Sequence, residues 1–191
     1  MRNPLSNTIV NIKPSGIRKF FDISAEMDDV ISLGVGEPDF DTQWHVRDEG
    51  IYSLEKGRTS YTSNAGLKEL KEEIAKFLQR RYDLTYDPVK EMIITVGGSE
   101  GIDICMRAML DPGDEVLIPQ PSYVSYEPCA ILANGPPVII ELKAENEFRL
   151  TAEELEAAIT PKTKLLVLPF PNNPTGAIME RKDLEAIAEV I

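Results

Sequence analysis

The sequence is poor in cysteine and histidine, and both shortages narrow the chemistry that it can support. Its 191 residues include two cysteines, Cys105 and Cys129, and one histidine, His45. Both cysteines fall within helical patterns, so buried free thiols are a better interpretation than a disulfide or a metal pair. A single histidine argues against a multi-histidine metal site and against a Ser-His-Asp triad. We therefore expect no metal, and His45 is interpreted as a residue of a helix surface.

Basic residues and long apolar runs are also scarce. Lysine and arginine number 20 against 32 aspartates and glutamates, which gives a formal net charge of −12. A nucleic-acid-binding protein needs a basic surface, so no nucleic-acid partner is expected. No run reaches the ~18 apolar residues of a membrane span, and the first residues lack the apolar segment of a signal peptide. The expectation is a soluble cytoplasmic protein without a membrane partner.

The remaining composition is that of a globular protein, with 42% hydrophobic and 27% charged residues. Residues 1–16 are polar and are predicted to form an arm. Helices are predicted at 17–27, 44–56 and 67–82, with a short strand at 30–33. From residue 91 onward, strands predicted at 92–96, 116–118, 138–140 and 165–168 alternate with helices predicted at about 99–110, from 121, at 151–159 and from 179. This alternation indicates an α/β fold with a doubly wound, mostly parallel sheet.

Three unusual turns follow predicted strands, at the edge where ligands bind in doubly wound sheets. In the first, VGGSEG, the glycines allow a ligand to approach the backbone. The free amides at the start of the next helix, together with the Ser99 hydroxyl, favour an anion such as phosphate. A plain tight turn with Ser99 as the N-cap explains the same residues. The stretch matches neither the dinucleotide-binding glycine pattern nor the P-loop.

The second and third turns each offer one side chain suited to a flat ligand. In PQPSY, Tyr123 could stack on a heterocycle, although a tyrosine at such a place is more often part of the core. In PFPNNPTG, residues 169–176, Asn173 offers an amide donor and acceptor. Proline lowers the preference for a trans peptide, so the Asn173–Pro174 bond could be cis. A rigid turn without a ligand is the alternative for this octet.

Two further positions are open to both a structural and a functional interpretation. Gly36 lies in GVGEPD, residues 34–39, which is either a connector or a backbone edge that faces a substrate. Tyr61 lies in a polar stretch, residues 59–66, and is either a surface packing residue or a hydroxyl that reaches into a site. The local sequence is compatible with both interpretations at each position.

Together these stretches resemble the class I/II aminotransferases, the fold-type I enzymes that use pyridoxal 5'-phosphate (PLP). The matching stretches, in chain order, are ISLGVGEPDFDT (31–42), TSYTSNAGLKELKEEIA (59–75), IITVGGSEGID (93–103), LDPGDEVLIPQPSYVSYEP (110–128) and PFPNNPTG (169–176). Their order and spacing agree with the family over nearly the whole chain. The resemblance implies the α/β, mostly parallel, doubly wound sheet of an aspartate aminotransferase-like large domain. It is closest to the subgroup of aspartate, aromatic and N-acetyl-diaminopimelate aminotransferases.

The resemblance implies how five residues would bind the cofactor. The backbone amides of Gly98, Ser99 and Glu100, with the Ser99 hydroxyl, would bind the phosphate of PLP. Tyr123 would stack on the pyridine ring. Asn173 would donate a hydrogen bond to the phenolic oxygen of that ring.

The resemblance also implies contacts with a substrate and with a second subunit. The backbone of Gly36 would contact the substrate carboxylate. Tyr61 would reach the phosphate in the other subunit, which implies a homodimer with shared active sites. The Gln120–Pro121 and Asn173–Pro174 bonds are expected to be cis, as they often are in relatives.

The family's Schiff-base lysine lies beyond the NNPTG motif and is not among these 191 residues, so no catalytic residue is assigned. Residues 1–40 are interpreted as an N-terminal arm and small-domain segment, and residues 41–191 as part of the large PLP-binding domain. Lys162 and Lys164 are expected to lie before a strand, at its solvent end. The expectation is an N-terminal portion, inactive alone, of an enzyme that acts on an L-amino acid and a 2-oxo acid.

Two other classes of function remain open. PLP-dependent lyases and decarboxylases of the same fold share these motifs. The non-enzymatic alternatives are an α/β fragment that binds phosphate and an interaction module. The plain phosphate-binding alternative leaves the combination of NNPTG with Tyr123 unexplained.

Overall fold

The structure is a computed structural model that describes residues 2–14, 16, 20, 23, 26–27, 29, 31, 36 and 40–191. The predicted helix at 17–27, the predicted strand at 30–33 and the GVGEPD bend lie outside the described residues, apart from single positions. The chain divides into two compact units. The larger unit comprises Met1–Ser15 and Val96–Ile191, and the second unit comprises Gly16–Thr95.

The helices and strands of the described residues follow the predicted alternation from residue 98 onward. The helices are α1 Asn7–Asn11, α2 Trp44–Glu55, α3 Lys68–Tyr82, α4 Gly98–Met109, α5 Tyr126–Leu132, α6 Ala152–Ala158 and α7 Arg181–Val190, with a 3₁₀ turn at Ala144–Asn146. The strands are β1 Glu115–Gln120, β2 Pro137–Glu141 and β3 Thr163–Leu166. They form a parallel sheet in the order β2-β1-β3, which confirms the α/β class and the parallel pairing.

The core of the larger unit lies on both faces of the central strand β1. Val116 and Ile118 point to one face, and Leu117 points to the other, because side chains alternate along a strand. The first face packs against helices α4 and α5 through Met106, Leu110, Cys129, Ala130 and Ala133. The second face packs against strand β2 and helices α6 and α7 through Ile140, Leu142, Leu150, Leu155 and Ile187. A strand covered on both sides needs an unbroken apolar run, which is the pattern VLI of this strand.

Two capping boxes set the start of helices α6 and α7. The Thr151 hydroxyl accepts from the Glu154 amide, and the Glu154 carboxylate accepts from the Thr151 amide, each at 3.2 Å. This confirms the box predicted from TAEE. Glu180 and Asp183 form a second box at the start of α7, where the Asp183 carboxylate accepts from the Glu180 amide at 2.9 Å. Each box satisfies backbone donors that a helix start would otherwise leave unpaired.

The second unit holds helices α2 and α3 and the extended segment around Ile94. His45 lies on α2, no residue of which is buried, as predicted for a surface position. Ile94 donates its amide to the Ala65 carbonyl at 3.1 Å. Gly66 adopts φ +95°, and a Cβ there would lie 2.5 Å from the Ile94 side chain, so glycine is required twice over.

Three predicted elements differ from the structure. The strand predicted at 92–96 is not formed, because the sheet of the described residues consists of β1, β2 and β3 and none of these strands pairs with this stretch. The helix predicted from Pro121 begins at Tyr126, because residues 121–125 form a turn first. The polar arm predicted at 1–16 contains the short helix α1, which the Ser6 hydroxyl caps by accepting from the Ile9 amide.

The two cysteines are free, as predicted, but only one is buried. Cys129 lies in the core beside β1, and burial raises the pKa of its thiol. Cys105 is exposed on α4. The helical pattern around Cys105 predicted an apolar environment, whereas its position on the helix faces away from the sheet contacts that Met106 makes.

Truncation of Leu117 to alanine should destabilise the larger unit, because this side chain is 1% exposed at the centre of the second core face. Leu117→Ala removes about 2–5 kcal/mol from the free energy of unfolding. The matched control is Leu54→Ala, since Leu54 is 67% exposed, and its cost should stay within about 0.5 kcal/mol. Urea unfolding followed by circular dichroism measures both, and equal midpoints would contradict the assignment of Leu117 to the core.

Candidate cofactor site

Four of the predicted site residues line one cavity of the larger unit. The cavity has a volume of about 380 Å³ and is lined by Gly98, Ser99, Ile102, Tyr123, Tyr126 and Asn173. These residues come from the start of α4, from the turn after β1 and its helix α5, and from the turn after β3. Because β1 and β3 are parallel neighbours, the turns at their carboxyl ends lie at one edge of the sheet.

The start of helix α4 presents backbone donors to the cavity. Gly97, the N-cap, has φ +81° and ψ 168°, a conformation that strains any residue with a side chain. The first intrahelical bond is donated by Gly101 to the Gly97 carbonyl at 3.5 Å, so the amides of Gly98, Ser99 and Glu100 precede the helical ladder. Helix dipole and unpaired amides together make this end attractive to an anion.

The residues at the start of α4 also leave space for a ligand. A Cβ built on Gly98 would meet no atom within 4 Å. The Glu100 carboxylate accepts a hydrogen bond from the Val96 amide, so this side chain is engaged with the preceding turn. Ser99 lies inside the first helical turn and is not the N-cap, which rules out the alternative in which it merely caps the helix.

Three hydroxyl groups meet beside this helix start. The Ser99 hydroxyl lies 3.1 Å from the Tyr123 hydroxyl and donates to the Ser125 hydroxyl at 3.4 Å. The Tyr126 ring packs edge-on against the Tyr123 ring, with centroids 5.7 Å apart and an interplanar angle of 81°. Tyr123 remains 37% exposed, so it is not the core aromatic that its sequence context favoured. The contacts hold the ring at its hydroxyl and its edge while part of it stays accessible.

The two tyrosines differ in their titration because their surroundings differ. Hydrogen bonding by the Ser125 and Ser99 hydroxyls lowers the pKa of Tyr123. Burial, with a smaller contribution from Tyr123, raises the pKa of Tyr126. The accessible tyrosine is therefore the one whose phenolate is stabilised.

In the turn after β3, the two adjacent asparagines have different environments. Asn173 is exposed and lines the cavity. Asn172 is 5% exposed, and its side-chain amide donates to the Pro121 carbonyl at 3.1 Å. Its side-chain oxygen accepts from the Thr175 amide at 3.2 Å and from the Thr175 hydroxyl at 3.0 Å. The peptide bonds Gln120–Pro121 and Asn173–Pro174 are cis, as expected, and Phe170–Pro171 is also cis, which was not anticipated.

The two other predicted contacts, Tyr61 and Gly36, lie in the second unit. Tyr61 is fully exposed in its polar loop, and Gly36 is exposed with no atom within 4 Å of a Cβ built on it. Their predicted contacts with a second subunit and with a substrate stay predictions. Lys162 is exposed just before β3, as expected, whereas Lys164 is exposed within β3, because this strand begins at Thr163 and not at Leu165.

The described part of the chain holds neither a metal-binding cluster nor a membrane-spanning helix. Its histidines, cysteines and carboxylates form no cluster of three or more that could hold a metal ion. None of its helices is long and apolar enough to cross a membrane.

Sequence reasoning missed two residues that line the cavity, Ile102 and Tyr126, and two that support its lining, Ser125 and Asn172. Each lies within three residues of a predicted contact, but proximity in sequence does not reveal which neighbours line the cavity or support it. The sequence predicts a helix from residue 121, whereas the helix begins at Tyr126, so the positions of Ser125 and Tyr126 in the preceding turn and first helical turn were not predicted. Asn172 is chemically identical to Asn173, and only its burial identifies it as the structural member of the pair.

Comparison with known proteins gives consistent matches over nearly the whole chain. The family model "Aminotransferase class I and II" matches residues 28–191. A Bacillus subtilis protein named as an aminotransferase, YugH, is 52% identical over 189 residues, which cover 99% of this chain and 49% of that protein. An aspartate aminotransferase of Pyrococcus abyssi is 47% identical over 97% of this chain and 48% of its own length.

The solved structures agree with these matches. The aspartate aminotransferase of Thermus thermophilus, solved with maleate, superimposes with a TM-score of 0.90 at 39% identity. The match covers 100% of this chain and 50% of that structure. The chain thus spans about half the length of the relatives that it matches.

Removal of the Ser125 hydroxyl should raise the pKa of Tyr123, because that hydroxyl is the main cause of its lowering. The titration of the Tyr123 ring, followed by the carbon shift of its hydroxyl-bearing atom in NMR, should move to higher pH in Ser125→Ala. Ser122→Ala, a serine of the same turn, is the control and should leave the titration in place. A lowered pKa in Ser125→Ala would contradict the hydroxyl cluster.

Proposed function

Since the chain belongs to the class I and II aminotransferase family, we propose that its residues form the cofactor-positioning part of a PLP-dependent enzyme. The reaction proposed is transfer of the amino group from an L-amino acid to a 2-oxo acid. The observation that supports it most directly is the cavity in which Gly98, Ser99, Tyr123 and Asn173 meet. These four residues are separated by up to 75 positions (173 − 98) in the sequence, yet they line one space.

The lining of the cavity fits PLP in size and in chemistry. A volume of about 380 Å³ lies within the range of small-molecule sites. The free amides of α4 and the open space at Gly98 suit a phosphate, which carries about two negative charges near neutral pH. The accessible Tyr123 ring and the exposed amide of Asn173 suit a flat ring with a phenolic oxygen.

Phosphate binding is assigned to the start of α4. The amides of Gly98, Ser99 and Glu100 donate to the phosphate oxygens, and the Ser99 hydroxyl supplies a further donor. The dipole of a twelve-residue helix adds a partial positive charge at the same end. Because backbone amides provide the charge complement, a chain with a net charge of −12 can still hold an anion here.

Ring binding is assigned to Tyr123 and Asn173. The Tyr123 ring is held in place by the Ser99 hydroxyl and the Tyr126 edge, so it offers a fixed surface for stacking. The Asn173 amide donates to the phenolic oxygen of the cofactor. Together the two side chains would orient the ring relative to the bound phosphate.

When bound, PLP supplies an electron sink for the carbanion formed at the α-carbon of an amino acid. The residues present here bind and orient that group, while the proton transfers require the lysine that the family places beyond NNPTG. No Ser-x-x-Lys follows Gly176 among these residues. Ser53 and Lys56 have that spacing earlier in the chain, but the Lys56 ammonium lies over the Tyr52 ring, 5.1 Å from its centroid, at the end of α2.

We further propose that the whole enzyme is a cytoplasmic homodimer. The exposed Tyr61 would contact the phosphate bound by a second copy, and the backbone of Gly36 would contact the substrate carboxylate. Residues 1–40 and 41–191 would then belong to the small-domain side and to the PLP-binding domain. A lyase or decarboxylase of the same fold would use the same cavity, and analysis of products from candidate amino acids distinguishes these reactions.

Loss of the Tyr123 ring should weaken binding of the cofactor ring. The suitable probe is pyridoxine 5'-phosphate, which has the ring and the phosphate but no aldehyde to react with surface lysines. Tyr123→Ala should weaken its binding about tenfold, because stacking and buried area are lost. Tyr123→Phe keeps the ring and is the matched control, with a smaller loss. Equal affinities for both variants in a fluorescence titration would contradict stacking.

The 191-residue chain should bind PLP without catalysing transamination. Mixed with an L-amino acid, a 2-oxo acid and PLP, it should form product no faster than the same concentration of free PLP, because the family's lysine is not among its residues. Amino-group transfer measured by liquid chromatography tests this. A rate well above the free-cofactor control would show that another residue of the chain performs the proton transfers.

A further inference from the structure

Asn172 connects the two turns that carry the ring-binding residues. Its Nδ2 group donates to the carbonyl of Pro121, two residues before Tyr123, at 3.1 Å. Its Oδ1 atom accepts from the amide and the hydroxyl of Thr175, two residues after Asn173. One side chain therefore joins the turn that follows β1 to the turn that follows β3.

The backbone of Asn172 strengthens the second of these turns. Its amide donates to the Ala177 carbonyl at 2.8 Å, and its carbonyl accepts from the Gly176 amide at 2.8 Å. The Thr175 hydroxyl in turn accepts from the Ala177 amide at 3.1 Å. The turn around Asn173 is thus closed by its own backbone, but the Nδ2 bond is what fixes it to the turn around Tyr123.

We propose that Asn172 is a positioning residue that sets the placement of the Asn173 amide relative to the Tyr123 ring. The inference rests on the proposed function, in which Tyr123 stacks on the face of the cofactor ring and Asn173 donates to the phenolic oxygen at its edge. Asn172 itself does not line the cavity, because it is buried and its polar atoms are used within the protein.

The amide of asparagine is suited to this role because it offers a donor and an acceptor at opposite sides of one planar group. Aspartate has the same shape and keeps an acceptor for Thr175, but it cannot donate to the Pro121 carbonyl when ionised. Alanine loses both functions. Loss of the Nδ2 group leaves the partly buried Pro121 carbonyl without this donor, which is costly, so the two turns should shift apart.

The phosphate part of the site is independent of Asn172. Gly98 and Ser99 belong to α4, and Tyr123 is held to that helix by the Ser99 hydroxyl. Replacement of Asn172 should therefore displace Asn173 while phosphate binding at the helix start remains. This separates a positioning role from a general loss of structure, which would weaken both.

The test is a double-mutant cycle on Asn172 and Asn173, with pyridoxine 5'-phosphate and inorganic phosphate as probes. Asn172→Asp should weaken binding of pyridoxine 5'-phosphate about tenfold, while binding of inorganic phosphate changes less than about twofold. In the Asn173→Ala background the same replacement should have little further effect, because the displaced contact is already gone. Additive losses, or equal losses for both probes, would overturn the inference.

Two controls exclude the effects of charge. Asn134→Asp adds the same charge at an exposed asparagine with φ +65°, which aspartate also tolerates, and it should change neither affinity. Asn172→Ala removes the tie without adding charge and should reproduce the loss of ring affinity. If only the aspartate variant binds more weakly, repulsion explains the result and the inference fails.

Hydrogen exchange tests the tie without the cofactor. In the chain without ligand, Asn172→Asp should speed amide exchange in both residues 121–126 and residues 172–177, whereas exchange confined to one turn would overturn the inference. If the variant does not fold, the same measurement is made on the unaltered chain. Addition of pyridoxine 5'-phosphate should then slow amide exchange in both turns, and slower exchange in only one turn would contradict the connection through Asn172. If the unaltered chain binds pyridoxine 5'-phosphate no more tightly than inorganic phosphate, the proposed function fails. The exchange rates of Asn172→Asp without ligand would still test the role of Asn172.

Discussion

The burial of strand β1 on both faces is the constraint on which the rest of the larger unit depends. Its alternating side chains reach two separate apolar clusters, one with α4 and α5 and one with α6 and α7. Because the strand pairs in parallel on both edges, its neighbours β2 and β3 must return by way of helices. That connectivity sends the turns after β1 and β3 to the same edge of the sheet, where the cavity lies.

The cavity combines two kinds of recognition that need different support. An anion is attracted by backbone groups at a helix start, which any sequence with small residues can provide. A flat ring needs side chains held at fixed positions, and the structure supplies these supports around Tyr123 and through Asn172. The phosphate-binding part of the site is therefore a short continuous segment of the chain. The side chains that would bind the ring are held by contacts between residues far apart in the sequence.

Much of this arrangement could be predicted from the sequence, and the exceptions have physical causes. Strands such as VLI and the capping box TAEE were predicted because burial and capping depend on local residue order. The 92–96 stretch has the composition of a strand, but a strand exists only where a neighbour pairs with it, and composition does not supply the neighbour. The supporting contacts of Ser125, Tyr126 and Asn172 depend on which side chains converge in space, which local patterns do not encode.

Asn172 and Asn173 show that the same residue type can be required at adjacent positions for two unrelated reasons. At position 172 the fold itself demands an amide, because this buried side chain must donate to the Pro121 carbonyl and accept from the Thr175 amide. At position 173 the side chain is exposed, and the surrounding protein would accept many replacements. A sequence designed only to preserve this backbone would therefore recover asparagine at 172 and leave 173 free. The difference between such a designed sequence and the natural one would point to positions kept for a ligand.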